Sequence, residues 1–257
     1  MSWALPQAEL VAIVLAAIRA AAWLAICPPF TNQVIPLPVK GLLSVAFALP
    51  VTGQLTGQAA AIGTDTGRLL AAAVEQVLVG VALGFLTALF FAAIQAAGDL
   101  LDVFGGFSLA FALDPLGSNQ SSVFGRFYHL LAVALLFVTD GYRLVVRGFL
   151  ESYATLPLNG TLSLGTLDNL ITHGLSRMFV AALEIAGPLA AVLFLADLAL
   201  GLLNRVAPAL NAFQLGFPAK IFLVLSLGGL AIALLPRALH SLVIPAVEAV
   251  LKVSGGG

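Results

Sequence analysis

Residues 69–97 read LLAAAVEQVLVGVALGFLTALFFAAIQAA, a run in which Glu75 is the only formal charge. A hydrocarbon core about 30 Å thick is crossed by about 20 apolar residues in a helix, so this run is long enough to span. Working outward, further apolar runs occupy Leu10–Cys27, Gly41–Val51, Tyr128–Val146, Phe179–Leu203 and Ala219–Leu235, with an apolar continuation toward Val250. Gly41–Val51 is too short to cross comfortably, and Arg19 interrupts the first run. About six hydrophobic helices are expected, a count of helices more than of crossings.

Of the 257 residues, 61% are Ala, Val, Ile, Leu, Met, Phe, Trp, Tyr or Cys and 9% are charged, where soluble domains carry about 25% charge. With a mean hydropathy of +1.09, the composition is that of an all-α integral membrane protein. Eleven Lys and Arg against 12 Asp and Glu leave no cationic excess for a phosphate backbone, which argues against nucleic-acid binding. The single Cys27 and the scattered His129, His173 and His240 supply neither a disulfide framework nor a metal ligand set, and no cofactor is expected. No Lys or Arg precedes the first apolar run, so a cleaved signal is not expected. Around Leu24-Ala25-Ile26-Cys27 the bulky Ile26 and the nearby Arg19 argue against a lipid attachment site. If six helices crossed, six cations would face one side and four the other, too small a bias to set an orientation.

Turn-rich breaks separate the apolar blocks at Pro28–Pro38, Thr52–Gly67, Gly105–Ser122 and Leu156–Thr172. The break at Thr155–Thr172 is the best boundary, dividing four N-terminal elements from a two-element hairpin. Ionisable residues inside membrane segments cost about 2.5–3.5 kcal/mol on insertion scales and need an explanation. Here they are Arg19, Glu75, Glu184 and Asp197, expected to be buried and to meet polar partners inside an assembly. Glu184 and Asp197 lie about 220° apart around a helix and form no acid–base pair. Asp140, Arg143, Arg147 and Glu151 form one polar stripe on a continuation of the fourth helix. Gly80 and Gly84 make a GxxxG pattern that admits a close helix neighbour.

The stretch Asp99-Leu-Leu-Asp102-Val-Phe-Gly105-Gly106-Phe107-Ser108-Leu-Ala-Phe111-Ala-Leu-Asp114-Pro115 is apolar like a core, yet its Gly pair and its Asp-Pro turn break a helix. Residues 105–113 are too few to span. Either a re-entrant or plugging loop, or ordinary packing between helices, would bury it away from lipid. A second informative stretch is Gly201-Leu-Leu-Asn204-Arg205-Val-Ala-Pro208-Ala-Leu-Asn-Ala-Phe-Gln214-Leu-Gly216-Phe217-Pro218-Ala-Lys220. It joins two apolar helices by a loop with two cations and no anion, suited to a neighbouring subunit or to anionic lipid headgroups.

That hairpin resembles the signature of the FliR family, the R subunits of the flagellar type III export gate, which are related to the injectisome T subunit. Arg19 with Pro28-Pro29-Phe30 and Val39-Lys40, Glu75-Gln76 before Gly80–Phe85, and Ala97-Gly98-Asp99 leading to Gly106-Phe107-Ser108 and Asp114-Pro115 agree with the resemblance. It covers essentially the whole chain. It implies a non-enzymatic subunit that joins P-type and Q-type subunits in a closed channel for unfolded rod, hook and filament proteins. It implies contact with the export-switch protein and the large export-gate protein, and a place in membrane lipid at the bacterial inner membrane and flagellar basal body. Residues 1–160 would be P-like, with a plug loop over 104–115, and residues 161–257 a Q-like hairpin. The plug or gate would comprise Gly105, Gly106, Phe107, Ser108, Phe111, Asp114 and Pro115. Asn204, Arg205, Pro208, Gln214, Gly216, Phe217, Pro218 and Lys220 would form a subunit interface. Where the family often has Glu or Gln in the turn before the plug, this chain has Asp99, Leu100, Leu101 and Asp102. Leu215-Gly216-Phe217-Pro218 is similar to the flagellar form. The rival reading from another class is a stand-alone secondary transporter with Glu184 or Asp197 coupling ions, against which the chain lacks two recognisable halves.

Overall fold

The computed structural model describes residues 6–28, 30–31, 35–107, 122–158, 160, 164–207 and 214–228. Seven helices occupy them: α1 Gln7–Ile26, α2 Leu37–Ile62, α3 Thr66–Gly105, α4 Val123–Val138, α5 Gly141–Thr155, α6 Leu164–Val206 and α7 Gln214–Gly228. Among the described residues there is no strand. Four helices, α1, α2, α3 and Ile171–Val206 of α6, are long and apolar enough to cross a membrane, or five spans if α4 and α5 together count as one. The protein is an all-helical membrane protein.

Three element boundaries differ from the sequence expectation. The short second block becomes a 26-residue helix that passes through Pro50 and most of the expected Thr52–Gly67 break. Pro50 removes one backbone donor from the helix interior, and just after it Thr52 Oγ1 donates to the Ala48 carbonyl at 2.9 Å. The chain turns only at Gly63, with φ 72, a conformation open to glycine. Asp65 then starts α3, its carboxylate accepting from the Gly67 and Arg68 amides at 2.8 and 3.1 Å.

The expected Tyr128–Val146 element is two helices, because Asp140 takes a left-handed conformation with φ 56. Asp tolerates that region better than most residues. The polar stripe therefore begins a helix of its own and does not continue the fourth. Its pairs do form, Arg143 with Asp140 at 3.4 Å and Arg147 with Glu151 at 2.7 Å, on an exposed face. The third difference concerns the C-terminal hairpin. Its α6 runs to Val206 and α7 starts at Gln214, so Asn204, Arg205, Gln214, Gly216, Phe217, Pro218 and Lys220 lie on helices where a loop was expected. Pro208 lies outside the described residues.

The described chain packs as two compact units. The first draws on Met1–Phe90 and Thr139–Leu175. Its centre is Trp23 of α1, fully enclosed, with its ring stacked on Phe149 of α5 at a centroid distance of 4.4 Å and an interplanar angle of 16°. Phe30 and Phe47 meet the same indole at 5.8 and 6.0 Å. Such aromatic pairs add about 0.5–1.5 kcal/mol each beyond the area they bury. The GxxxG face of α3 packs here as well. A Cβ on Gly80 would press on the Arg19 carbonyl and lie 2.8 Å from the Ala22 Cβ, while one on Gly84 would lie 3.0 Å from the Ile26 Cβ. The neighbour of the GxxxG face is thus α1 of the same chain, so that face needs no second subunit. Cys27 is fully buried in this core.

The second unit draws on residues 91–138 and 176–242. Its core holds Phe91, Ile94, Leu101, Tyr128, Leu136 and Leu193, each at most 1% exposed.

Because backbone of α1 occupies the space a side chain at Gly80 would need, Gly80→Ala should destabilise the chain by about 1–3 kcal/mol, the usual cost of overpacking. Gly84→Ala should cost less, since its nearest neighbours, the Ile26 Cβ at 3.0 Å and the Trp23 carbonyl at 3.1 Å, stand farther off than those of Gly80, and Gly41→Ala, with open space around it, should be silent. Steady-state level and protease resistance of the chain in membranes measure this. A Gly80→Ala chain at the level of Gly41→Ala would remove the close contact.

Candidate functional site

Three polar nodes stand out within the apolar helices. The first is Arg19, at 0% exposure in the middle of α1. Its Nε donates to Gln76 Oε1 at 2.7 Å, one terminal nitrogen to the Ser152 carbonyl at 3.0 Å and the Ser152 hydroxyl at 3.4 Å, and the other to the Leu156 carbonyl at 2.8 Å. The guanidinium carbon also sits 4.4 Å from the centre of the Tyr153 ring. These acceptors are all neutral. Ser152 and Leu156 lie at the C-terminal end of α5, where the helix dipole is negative; the Ser152 carbonyl, which also accepts from the Leu156 amide at 2.8 Å, is shared with Arg19. Arg19 thus caps a helix that begins more than a hundred residues later in the chain. Only a planar fork of donors reaches all these acceptors together. Gln76 in turn donates to the Leu158 carbonyl at 3.2 Å, and the Tyr153 hydroxyl donates to the Ala16 carbonyl at 2.7 Å.

The second node closes the end of α3 against the start of α4. Asp102, 2% exposed, accepts from the Phe124 and Gly125 amides at 2.9 and 3.4 Å, and Ser122 donates its hydroxyl to Asp99. First-turn amides have no partners inside their own helix, and a carboxylate there also meets the positive end of the dipole. Gly98 permits the approach, since its Cβ would fall 2.5 Å from the Phe124 carbonyl oxygen. Asp99 and Asp102 therefore hold the two ends of the stretch between α3 and α4 together.

The third node is Lys220 of α7, whose ammonium lies 2.5 Å from the Asp197 carboxylate of α6 and 3.2 Å from the Phe104 carbonyl in the last turn of α3.

The expected site residues distribute as follows. Of the plug stretch, Gly105 ends α3, Gly106 turns out of it with φ 81, and Phe107 sets its ring against Phe124 at 5.2 Å and near Phe217 at 6.4 Å. Ser108, Phe111, Asp114 and Pro115 lie outside the described residues. Of the four residues expected to be buried, Arg19 is enclosed and Glu75 is half-buried, while Glu184 and Asp197 are exposed. Asp197 finds its partner within the chain, in Lys220 of α7. Lys220, expected to face a neighbour, is engaged internally with its side chain 15% exposed. Asn204, Arg205, Gln214 and Pro218 are exposed, whereas Gly216 is buried, its Cβ position 3.0 Å from Leu200.

Gln76, Ser152, Tyr153, Asp99 and Asp102 were not among the expected site residues. Gln76 was recoverable, because 76, 80 and 84 fall on one helix face and the two glycines mark that face as packed. Ser152 and Tyr153 carried no signal, since their partner lies 133 or more residues away.

Residues 10–244 match the family model of bacterial export proteins, family 1. The chain is similar to the flagellar biosynthetic protein FliR of Pectobacterium carotovorum subsp. carotovorum, 32% identical over 219 residues, which are 85% of this chain and 83% of that protein. It is similar to FliR of Escherichia coli strain K12, 31% identical over 82% of this chain and 80% of that protein. It is also similar to the surface presentation of antigens protein SpaR of Shigella flexneri, 26% identical over 74% of this chain and 76% of that protein.

Arg19→Lys keeps the charge but replaces the fork with a point donor that cannot serve Gln76, Ser152 and Leu156 at once. It should destabilise the protein by about 2–4 kcal/mol, as should Arg19→Leu, which leaves buried acceptors unpaired. Gln76→Ala should cost about 1–2 kcal/mol. Melting of the detergent-extracted protein measures this, and an Arg19→Lys midpoint equal to wild type would show that the fork geometry is not needed.

Proposed function

This chain belongs to the bacterial export proteins of family 1, and from that membership we propose that it is the R-type subunit of a flagellar type III export gate. In this reading it forms, with P-type and Q-type subunits, the closed channel that passes unfolded rod, hook and filament proteins. Residues 1–160 correspond to a P-type subunit and residues 161–257 to a Q-type hairpin. The subunit is not an enzyme; it sits at the inner membrane in the flagellar basal body and meets the export-switch protein and the large export-gate protein. The matches to FliR of Pectobacterium carotovorum and Escherichia coli, at 32% and 31% identity over 85% and 82% of the chain against 26% over 74% for SpaR, favour the flagellar over the injectisome system.

The observation that carries the reading is α3. Its 40 residues make a helix about 60 Å long, twice the thickness of a hydrocarbon core. Apolar side chains near its start, Leu70 and Val74, are 63% and 59% exposed, and Leu202, Val206 and Leu225 of the hairpin are 65%, 84% and 68% exposed. One bilayer cannot cover so long an apolar helix, so sister subunits are the natural cover for what lies beyond it.

Residues 105–113 are assigned to closing the channel, supported by the Gly106 turn at the end of α3 and the apolar character of the stretch that follows. Phe107 and Phe111 would exclude water and ions as a dewetted constriction does. Deleting residues 106–112 should leave the complex assembled with its P- and Q-type partners while resting cells leak ions, and Phe107→Ala with Phe111→Ala should leak less. Wild-type conductance from the deletion in an intact complex would place the gate elsewhere. A monodisperse, protease-resistant chain purified without partners would count against the assembly itself.

A further inference from the structure

The third node raises a question that the proposed function leaves open: why an ammonium is placed at the end of α3, beside the turn at Gly106. On α7, Phe217, Lys220 and Val224 follow at steps of three and four and so lie on one face. That face meets the end of α3 three times over. Phe217 approaches the Phe107 ring at 6.4 Å, Lys220 reaches the Phe104 carbonyl at 3.2 Å, and the Val224 Cγ2 lies 3.3 Å from the Cβ position of Gly105. On its other side the same helix rests on α6, where Asp197 pairs with Lys220 and Leu200 lies beneath Gly216.

Carbonyls in the last turn of a helix have no intrahelical partner and carry the negative end of its dipole, so a cation placed there gains twice. An ammonium with only 15% of its side chain exposed gains from a neighbouring anion, and Asp197 supplies it.

We propose that Lys220 is a positioning residue: shared between the Asp197 carboxylate and the Phe104 carbonyl, its ammonium ties the α6–α7 hairpin to the last turn of α3 and fixes the direction in which the chain leaves at Gly106. Movement of the hairpin, for instance when a partner engages its exposed Asn204 and Arg205 end, is thereby transmitted to Phe107. The consequence for closure rests on the reading of residues 105–113 given above; the tie itself does not.

The test uses the assembled complex in detergent, in a Cys27→Ser background, with Phe107→Cys and Phe217→Cys joined by a short bis-thiol reagent. Cross-linking should be fast with Lys220 present and with Lys220→Arg. It should slow about fivefold in Lys220→Met and in Asp197→Asn, the order expected for loss of a partly exposed charge-assisted contact. The exchange Asp197→Lys with Lys220→Asp should not restore it fully, because the cation would then lie on α6, away from the Phe104 carbonyl. If Lys220→Met fails to assemble, Asp197→Asn reports on the same tie with the cation retained. Cross-linking at the wild-type rate in Asp197→Asn and every assembled Lys220 variant would overturn the proposal. Resting conductance, read on the Lys220 and Asp197 variants with Phe107 and Phe217 left intact, addresses the other claim. Slowed cross-linking with an ion leak supports both, whereas slowed cross-linking without a leak upholds the tie and removes the closing role of the stretch beyond Gly106.

Discussion

A guanidinium enclosed in apolar packing and held by neutral acceptors is the constraint on which the first unit depends. Removing a cation from water costs several kcal/mol, and a lone neutral acceptor does not offset that. Arg19 is tolerable because Gln76, Ser152, Leu156 and the face of Tyr153 converge on it, and that convergence admits one register for three helices. Each helix also places its packing residue one turn from its polar one: Trp23 follows Arg19, Gly80 follows Gln76, and Phe149 precedes Tyr153. The indole stack and the glycine contact therefore form only when the arginine is satisfied. Hydrophobic contacts alone, being non-directional, would not choose among neighbouring registers in a chain this rich in Ala and Leu.

The second unit uses the same physics at different helix ends. Asp102 satisfies the first amides of α4, and Lys220 satisfies a last-turn carbonyl of α3, as Arg19 does for α5. Water would ordinarily serve these groups. In a chain that is 9% charged and surrounded by apolar material, several of the few charges lie where a helix stops, each supplied by another helix. Helix ends thereby become points of tertiary linkage, which stiffens the ends of the stretch between α3 and α4.

The helical membrane character, the place of α3 and the importance of Arg19, of the Gly80–Gly84 face and of the Gly105–Gly106 break were legible from residue types alone. What was not legible has a common cause. Pro50, Thr52 and Gly53 look like a break locally, but the packing of Val51 and Leu55 in the core carries the helix through. Asp140 looks like one member of a helical stripe, and only its left-handed backbone, invisible in spacing, separates α4 from α5. Lys220 and Asp197 lie 23 residues apart on different helices, so periodicity within one helix cannot pair them. Glu184 and Asp197 looked buried because their neighbours in sequence are apolar, yet the apolar residues around them are themselves exposed, Leu183 at 60% and Leu198 at 50%. Hydropathy separates lipid-like surroundings from water, and it does not separate a face covered by this chain from one left for another.

The separation between Arg19 and its acceptors also has a meaning in time. Gln76 is 57 residues downstream of Arg19, Ser152 is 133 and Leu156 is 137. At synthesis rates of about 5–20 residues per second, roughly 7 to 27 s pass between the making of Arg19 and the making of Ser152. Until Gln76 arrives, α1 is a membrane segment with an unmatched cation at its middle, which a long side chain relieves by reaching for the headgroup layer, and with Gln76 alone most of its donors are still unpaired. This helix is therefore held away from its final depth by its own arginine. It settles only when α5, made much later, brings the carbonyls that the arginine requires.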